Sequence, residues 1–113
     1  MNYLYYPCKE IKMKIFLMLL AFITAQTYAA EYTVGQSKKN FEKTELTIKV
    51  GDTVHFKNND PFFHNVFSLS DAALFDLGSY PQGKSKSVTF EEAGTVEVEC
   101  AIHPNMLMTI TVE

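Results

Sequence analysis

The sequence predicts an all-β fold, a sandwich of two β-sheets, on three observations. Short segments that alternate apolar and polar residues fill most of the chain after residue 30. Turn residues recur between these segments at short intervals, and no stretch there keeps the 3.6-residue period of an amphipathic helix. Many short strands in so small a chain are typical of two sheets packed face to face. We therefore expect about seven strands in two antiparallel sheets with Greek-key connections.

The alternating segments follow one another closely along the chain. Leu46, Ile48 and Val50 alternate with polar residues, and Gly51-Asp52 turns the chain into a second segment that contains Val54 and Phe56. The remaining candidate strands lie at residues 31–34, 66–69, 88–90, 96–100 and 110–112, and the turn signals between the segments lie at 58–61, 78–81, 82–83 and 93–94. Residues 71–76 are the exception, because Ser70 or Asp71 could cap a single helical turn there.

The first thirty residues predict export and are excluded from the fold. From Met13 and Lys14 the chain runs through an apolar stretch at 15–23 to small residues ending at Ala29-Ala30, the pattern of a secretory signal peptide. The apolar stretch is well short of the ~20 residues of a membrane-spanning helix, so we do not expect an integral membrane protein. We thus divide the chain into an upstream extension plus signal peptide at 1–30, with the signal starting near residue 13, and a single domain at 31–113.

Charge and cysteine content narrow the possible functions of that domain. Residues 31–113 contain seven lysines and twelve acids, a formal charge of −5, and the lysines stand singly or in pairs. This balance argues against nucleic-acid binding and shows no polybasic segment. Of the two cysteines, Cys8 precedes the signal peptide, which leaves Cys100 as a lone thiol that is inert, intermolecular, or a metal or catalytic thiolate.

The surroundings of Cys100 favour a metal. The run Cys100-Ala-Ile-His103-Pro-Asn-Met106 places a thiolate, an imidazole and a thioether within seven residues, and His64 can supply a second imidazole. Two His and one Cys with a weak axial Met form the ligand set of copper electron-transfer sites. A lone His or Met is more often a packing residue, but this combination predicts one copper ion held by His64, Cys100, His103 and Met106.

A second methionine competes for the axial position. Met106 gives the spacing Cys-x2-His-x2-Met, and Met108 gives Cys-x2-His-x4-Met. Both are compatible with a ligand loop that joins two strands, so the spacing alone leaves the choice open.

The chain resembles the cupredoxins of the plastocyanin and azurin superfamily, most of all the amicyanin-like small periplasmic blue copper proteins. The resemblance is carried by the segments 46–54, His64-Asn-Val66, 94–100 and the ligand loop. It implies a periplasmic type 1 copper protein with the four ligands named above, and its register favours Met106 over Met108. It also implies that Asn65 ties the two ligand-bearing loops together.

The function that this resemblance implies is one-electron transfer, without enzymatic activity. The expected partner is a c-type cytochrome, an amine dehydrogenase or another copper enzyme, and the resemblance implies an apolar patch of Phe63, Pro104 and Leu107 around His103. A monomer is the default state. The alternatives are a periplasmic copper carrier without an electron-transfer role and a metal-free structural sandwich. A multicopper enzyme is disfavoured, because residues 31–113 contain only three His.

Overall fold

The computed structural model describes residues 24–26 and 28–113, and that part of the chain folds into nine β-strands without a helix. The strands are β1 Glu31–Ser37, β2 Asn40–Phe41, β3 Glu45–Ile48, β4 Thr53–Asn58, β5 His64–Ser70, β6 Ala73–Tyr80, β7 Ser85–Thr89, β8 Gly94–Glu99 and β9 Leu107–Val112. The upstream extension and nearly all of the signal peptide lie outside the described residues, so their assignment stays a prediction. No helix within the described residues is long and apolar enough to cross a membrane.

The strands form two sheets, which confirms the predicted all-β sandwich. One sheet has the order β2-β1-β4-β7 and the other has the order β3-β9-β8-β5-β6. Two of the neighbouring pairs, β1 with β4 and β3 with β9, are parallel, so the expectation of purely antiparallel sheets was wrong for these pairs. Apolar alternation determines which face of a strand is buried but carries no information about its partner's direction.

The core lies between the two sheets and follows the alternation read from the sequence. In β4, Val54 and Phe56 are fully buried, and in β9 the inward positions are Met108, Ile110 and Val112. The core is completed by Val34, Phe41, Ile48, Val66, Tyr80, Phe90, Val96, Val98, Cys100 and Met106. Burial of this apolar surface stabilises the sandwich by roughly 25 cal/mol per Å². Because the strands are packed against this core, the loops between them begin and end at fixed positions.

Residues 71–76 do not form the predicted helical turn. Strands β5 and β6 pair in antiparallel fashion down to Ser70 and Ala73, so residues 71–72 form a tight hairpin turn and the rest belongs to β6. The apolar run there is too short to nucleate a helix. Phe75 and Leu77 instead point towards the core while Leu74 and Asp76 point outwards, the period-2 pattern of a strand.

The directions of the strands sort the loops into two ends. Backbone hydrogen bonds and strand pairings bring together the loops at 38–39, 59–63, 81–84 and 100–106, which we call the ligand end because it contains the four predicted ligands. The loops at 49–52, 71–72 and 90–93 and the C-terminus form the opposite end. The sandwich therefore separates the predicted metal site from the loops at the other end by the length of its strands.

Candidate metal centre

The structure brings three of the predicted ligands into contact. His64 is the first residue of β5, whereas Cys100 and His103 lie in the loop that joins β8 to β9. The thiol Sγ of Cys100 is 3.8 Å from Nδ1 of His64 and 3.9 Å from Nδ1 of His103, and the two Nδ1 atoms are 3.1 Å apart. His64 and Cys100 are buried and His103 is half-buried.

This triangle has the right size for a transition-metal ion. The point equidistant from its three corners lies about 2.1 Å from each atom, close to the ~2.0–2.1 Å of a metal–imidazole bond and somewhat short of the ~2.3 Å of a metal–thiolate bond. Three lone pairs that converge at this distance repel one another unless a cation or a proton lies between them. The donor set therefore fits a metal ion, and a set of two imidazoles and a thiolate suits copper.

His64 is held from behind by Asp60. Its Nε2 lies 2.7 Å from Oδ2 of Asp60, and both side chains are buried. Burial alone would raise the pKa of Asp60, but the hydrogen bond from His64 and those from the Lys39 and Lys38 amides outweigh it and hold the pKa below the usual value. The carboxylate therefore stays ionised and accepts a hydrogen bond from the Nε2–H group of His64. The Nδ1 lone pair of His64 is thus left facing Cys100.

The same carboxylate also holds the turn between β1 and β2. Oδ1 of Asp60 accepts a hydrogen bond from the Lys38 amide at 2.7 Å, and Oδ2 accepts one from the Lys39 amide at 3.0 Å. Both lysines have positive φ, 54° and 58°, a conformation that costs a non-glycine residue roughly 1–2 kcal/mol. Asp60 therefore stabilises a strained turn and fixes it beside the predicted metal site.

His103 has a different environment on the outer side of the site. The ring of Phe62 packs against both imidazoles, with centroid distances of 5.3 Å to His64 and 5.3 Å to His103. Burial and the neighbouring His64 lower the pKa of His103, so its neutral form, the form that binds a metal, is favoured. Of the predicted patch residues, Phe63 and Leu107 are about half exposed and Pro104 is exposed. Ile102 in the ligand loop, which was not predicted, is also about half exposed.

Hydrogen bonds close the ligand loop and join it to β5. The amide of Ala101 donates to Oδ1 of Asn65 at 2.7 Å, which confirms that Asn65 ties the two ligand-bearing loops together. The Met106 amide donates to the His103 carbonyl at 2.9 Å, and the Cys100 amide donates to the Met106 carbonyl at 3.4 Å. The loop is thus folded back on itself between two rigid strands.

Both candidate axial methionines are buried. Met106 lies at the end of the ligand loop, where its backbone contacts Cys100 and His103, while Met108 lies within β9 opposite Val98. Met108 belongs to the row of inward core residues of that strand. Met108 therefore has the position of a packing residue, and Met106 stays the predicted axial ligand.

Three residues of the site were not predicted from the sequence. Asp60 stands in an Asn-Asp-Pro turn, where an acid is ordinary, and nothing local marks it as the partner of His64. Phe62 stands beside the predicted patch residue Phe63. Tyr80 pairs with His64 across β5 and β6, donates to the Phe56 carbonyl, and has a pKa raised by burial and by the neighbouring Cys100. Each of these contacts depends on tertiary structure.

Comparison with known proteins identifies the class to which this site belongs. The family model described as copper binding proteins of the plastocyanin/azurin family matches residues 28–113, and the chain belongs to that family. It is therefore a cupredoxin, and copper is its cofactor.

Individual relatives agree with this assignment. The chain is 36% identical to amicyanin of Paracoccus denitrificans over 99 residues, which cover 81% of this chain and 72% of that protein. It superimposes with a TM-score of 0.68 on the reduced Cu(I) form of an amicyanin variant at pH 4, with 33% identity over 79% of this chain and 88% of that one. It also matches a copper-containing nitrite reductase from Thermus scotoductus, with 26% identity, a TM-score of 0.68 and coverage of 80% of this chain but 23% of the reductase chain.

Proposed function

We propose that this protein is an exported type 1 copper protein that carries single electrons between redox partners in the periplasm. The observation that carries the proposal is the convergence of Nδ1 of His64, Nδ1 of His103 and Sγ of Cys100, with one of the three residues half-exposed. A buried ligand set that reaches the surface through one imidazole suits electron transfer, because an electron can pass at that edge without a bound substrate.

The protein holds its ligands in one arrangement, and this suits the proposed role. Bound copper supplies a one-electron couple between Cu(II) and Cu(I). Asp60 fixes the ring and tautomer of His64, and Asn65 holds the loop that contains Cys100. Met106, buried at the end of the ligand loop, is the proposed axial ligand. If the ligand side chains keep the same positions in both oxidation states, little energy is needed to rearrange the site when an electron is transferred.

Export, partner and absence of catalysis belong to the same proposal. The residues before Glu31 have the pattern of a signal peptide, and we place the protein in the periplasm on that pattern and on its likeness to amicyanin. The partner is a c-type cytochrome, an amine dehydrogenase or another copper enzyme. We infer that the protein is not an enzyme, because the third His of the described residues, His55, lies on β4 beside Glu31 and away from the cluster.

Voltammetry of the copper-loaded protein tests the proposal. We expect a reversible one-electron wave, and fast electron self-exchange in NMR spectra of mixtures of the oxidised and reduced protein. His55→Ala is the matched control for His64→Ala: the first should leave the wave unchanged and the second should abolish it. An irreversible wave, or slow self-exchange, would contradict the proposed role.

The same material distinguishes the alternative role of a copper carrier. A carrier must release its metal, and its site should be open. The burial of His64, Cys100 and Met106 argues for retention. We therefore expect Cu(I) to remain bound when a competing Cu(I) chelator is added, and rapid transfer of copper to the chelator would favour the carrier.

A further inference from the structure

Lysines that are far apart in the sequence lie together at one end of the folded domain. The four loops of the ligand end contain three lysines, Lys38, Lys39 and Lys84, and one acid, the buried Asp60. The loops of the opposite end and the C-terminus contain Lys49 and five acids: Asp52, Asp71, Glu91, Glu92 and Glu113. The ligand end is therefore positive, although residues 31–113 as a whole have a formal charge of −5.

Charged residues next to these loops do not change the sign of the formal charge at the ligand end. Glu42 and Lys43, in the segment between β2 and β3, offset each other. At the ligand end, Lys57 lies near the end of β4 and Glu99 at the end of β8, and their charges also offset each other. The positive charge thus comes from the loops that surround the predicted copper ligands.

Two of the lysines are placed at the site rather than merely near it. The backbone amides of Lys38 and Lys39 donate to the side-chain carboxylate of Asp60, and Asp60 in turn holds His64. Nζ of Lys39 is 5.6 Å from the centroid of the Phe62 ring, which packs against both imidazoles. Asp60 is nearly fully buried, so its charge is directed inwards, whereas both lysine side chains are exposed.

From this arrangement we propose that the ligand end docks a redox protein whose contact surface is acidic, with Lys38 and Lys39 meeting its carboxylates beside the apolar residues around His103. The inference rests on the proposed electron-transfer function. A charged patch of this kind raises the rate of productive encounters with a partner of opposite sign. The acidic opposite end repels the same partner, so it also orients the approach.

Oxidation of the reduced, copper-loaded protein by hexacyanoferrate(III) tests the local charge. One electron passes from protein-bound Cu(I) to Fe(III), giving Cu(II) and hexacyanoferrate(II). A net charge of −5 predicts that salt accelerates this reaction with an anion, by screening repulsion. The positive ligand end predicts the reverse, a rate that falls as ionic strength rises.

Matched charge reversals locate the effect. The double variant Lys38→Glu/Lys39→Glu should lower the rate at low ionic strength about tenfold, within the range of electrostatic steering, and invert the salt dependence. The single variants Lys39→Glu and Lys49→Glu are the matched pair, because they change the charge by the same amount while Lys49 lies in a loop of the opposite end. Lys39→Glu should lower the rate at low ionic strength, and Lys49→Glu should leave the sign of the salt dependence unchanged.

A hexaglutamate peptide serves as the probe for an acidic protein surface. It should inhibit the reaction of the parent protein with hexacyanoferrate(III) and have little effect on Lys38→Glu/Lys39→Glu. Electron transfer that accelerates with salt in the parent, or peptide inhibition equal in both proteins, would overturn the docking surface and leave the electron-transfer function intact. Failure to react with any oxidant would instead overturn the proposed function and this inference with it.

Discussion

The two ends of the sandwich are built around the same device and use it differently. At the opposite end, the buried carboxylate of Asp52 accepts hydrogen bonds from the amides of Ala30 and Lys49, both at 2.8 Å. At the ligand end, the buried carboxylate of Asp60 likewise accepts hydrogen bonds from two backbone amides, and it accepts a third hydrogen bond from His64. One aspartate joins chain segments, while the other joins chain segments to a proposed metal ligand.

This difference shows how a structural device becomes part of a functional site. A buried carboxylate that has oxygen lone pairs left over after capping a turn can also fix the tautomer of a neighbouring imidazole. The ligand end therefore depends on Asp60 both for folding and for the direction of the His64 lone pair. We expect changes at the two aspartates to have similar effects on stability and different effects on copper.

Removal of the two carboxylates should have the largest effect. Asp60→Ala leaves two turn amides and Nε2 of His64 without their acceptor, and we expect a loss of about 1–3 kcal/mol in the free energy of unfolding. Asp52→Ala should also lower the urea midpoint. Only Asp60→Ala should weaken copper binding, which competition with a chelator measures. Equal copper affinity in the two variants would refute the distinction between the ends.

Acid should reduce stability through both ends. The pKa of Asp52 is lowered by its backbone hydrogen bonds from Lys49 and Ala30, and the pKa of Asp60 is lowered by His64 and its backbone donors despite burial. Because both pKa values are lower in the folded state, their contribution is complete above the unfolded value near 4 and is lost as pH falls through the folded values.

Urea midpoints of the copper-free protein measured from pH 7 down to pH 2 would check this pH dependence. We expect the midpoint to fall steadily below about pH 4. Each of Asp52→Asn and Asp60→Asn should flatten part of that fall, since an amide does not titrate. A fall with the same slope in the parent and both variants would mean that other groups control acid stability.

Substitution of either methionine should have the smallest effect on stability, whereas substitution of the axial ligand should clearly change the visible absorption spectrum. Met106→Leu and Met108→Leu conserve volume, and each should cost less than about 1.5 kcal/mol. The proposed axial role predicts that Met106→Leu alone changes the visible spectrum and the reduction potential, because the axial ligand tunes both. If Met108→Leu changes them instead, the ligand assignment moves by two residues.

The features of this structure that could be predicted are those that depend on short segments of the sequence. Alternation identified the buried positions of β4 and β9, and the spacing of Cys100, His103 and Met106 indicated a metal loop before any contact was known. Parallel pairing, the hairpin at residues 71–72 and the role of Asp60 were not predicted. Each depends on which segments meet in space, and an Asn-Asp-Pro turn has the same sequence whether or not a His packs behind it.

The collection of lysines at the ligand end has the same origin. Lys84 comes 45 residues after Lys39 in the chain, and the position of both at one end appears only when the strand directions are known. Net charge gives no indication of this grouping, because it averages over two ends of opposite character. The placement of charge by topology is therefore the feature that sequence composition misses most completely here.

The assignment of copper to His64, Cys100, His103 and Met106 is tested most directly by the absorption spectrum of the protein during titration with Cu(II). We predict an intense visible thiolate-to-copper band that saturates at one copper per chain and is lost in Cys100→Ser. A protein that stays colourless, or a band that survives in Cys100→Ser, would contradict the assignment.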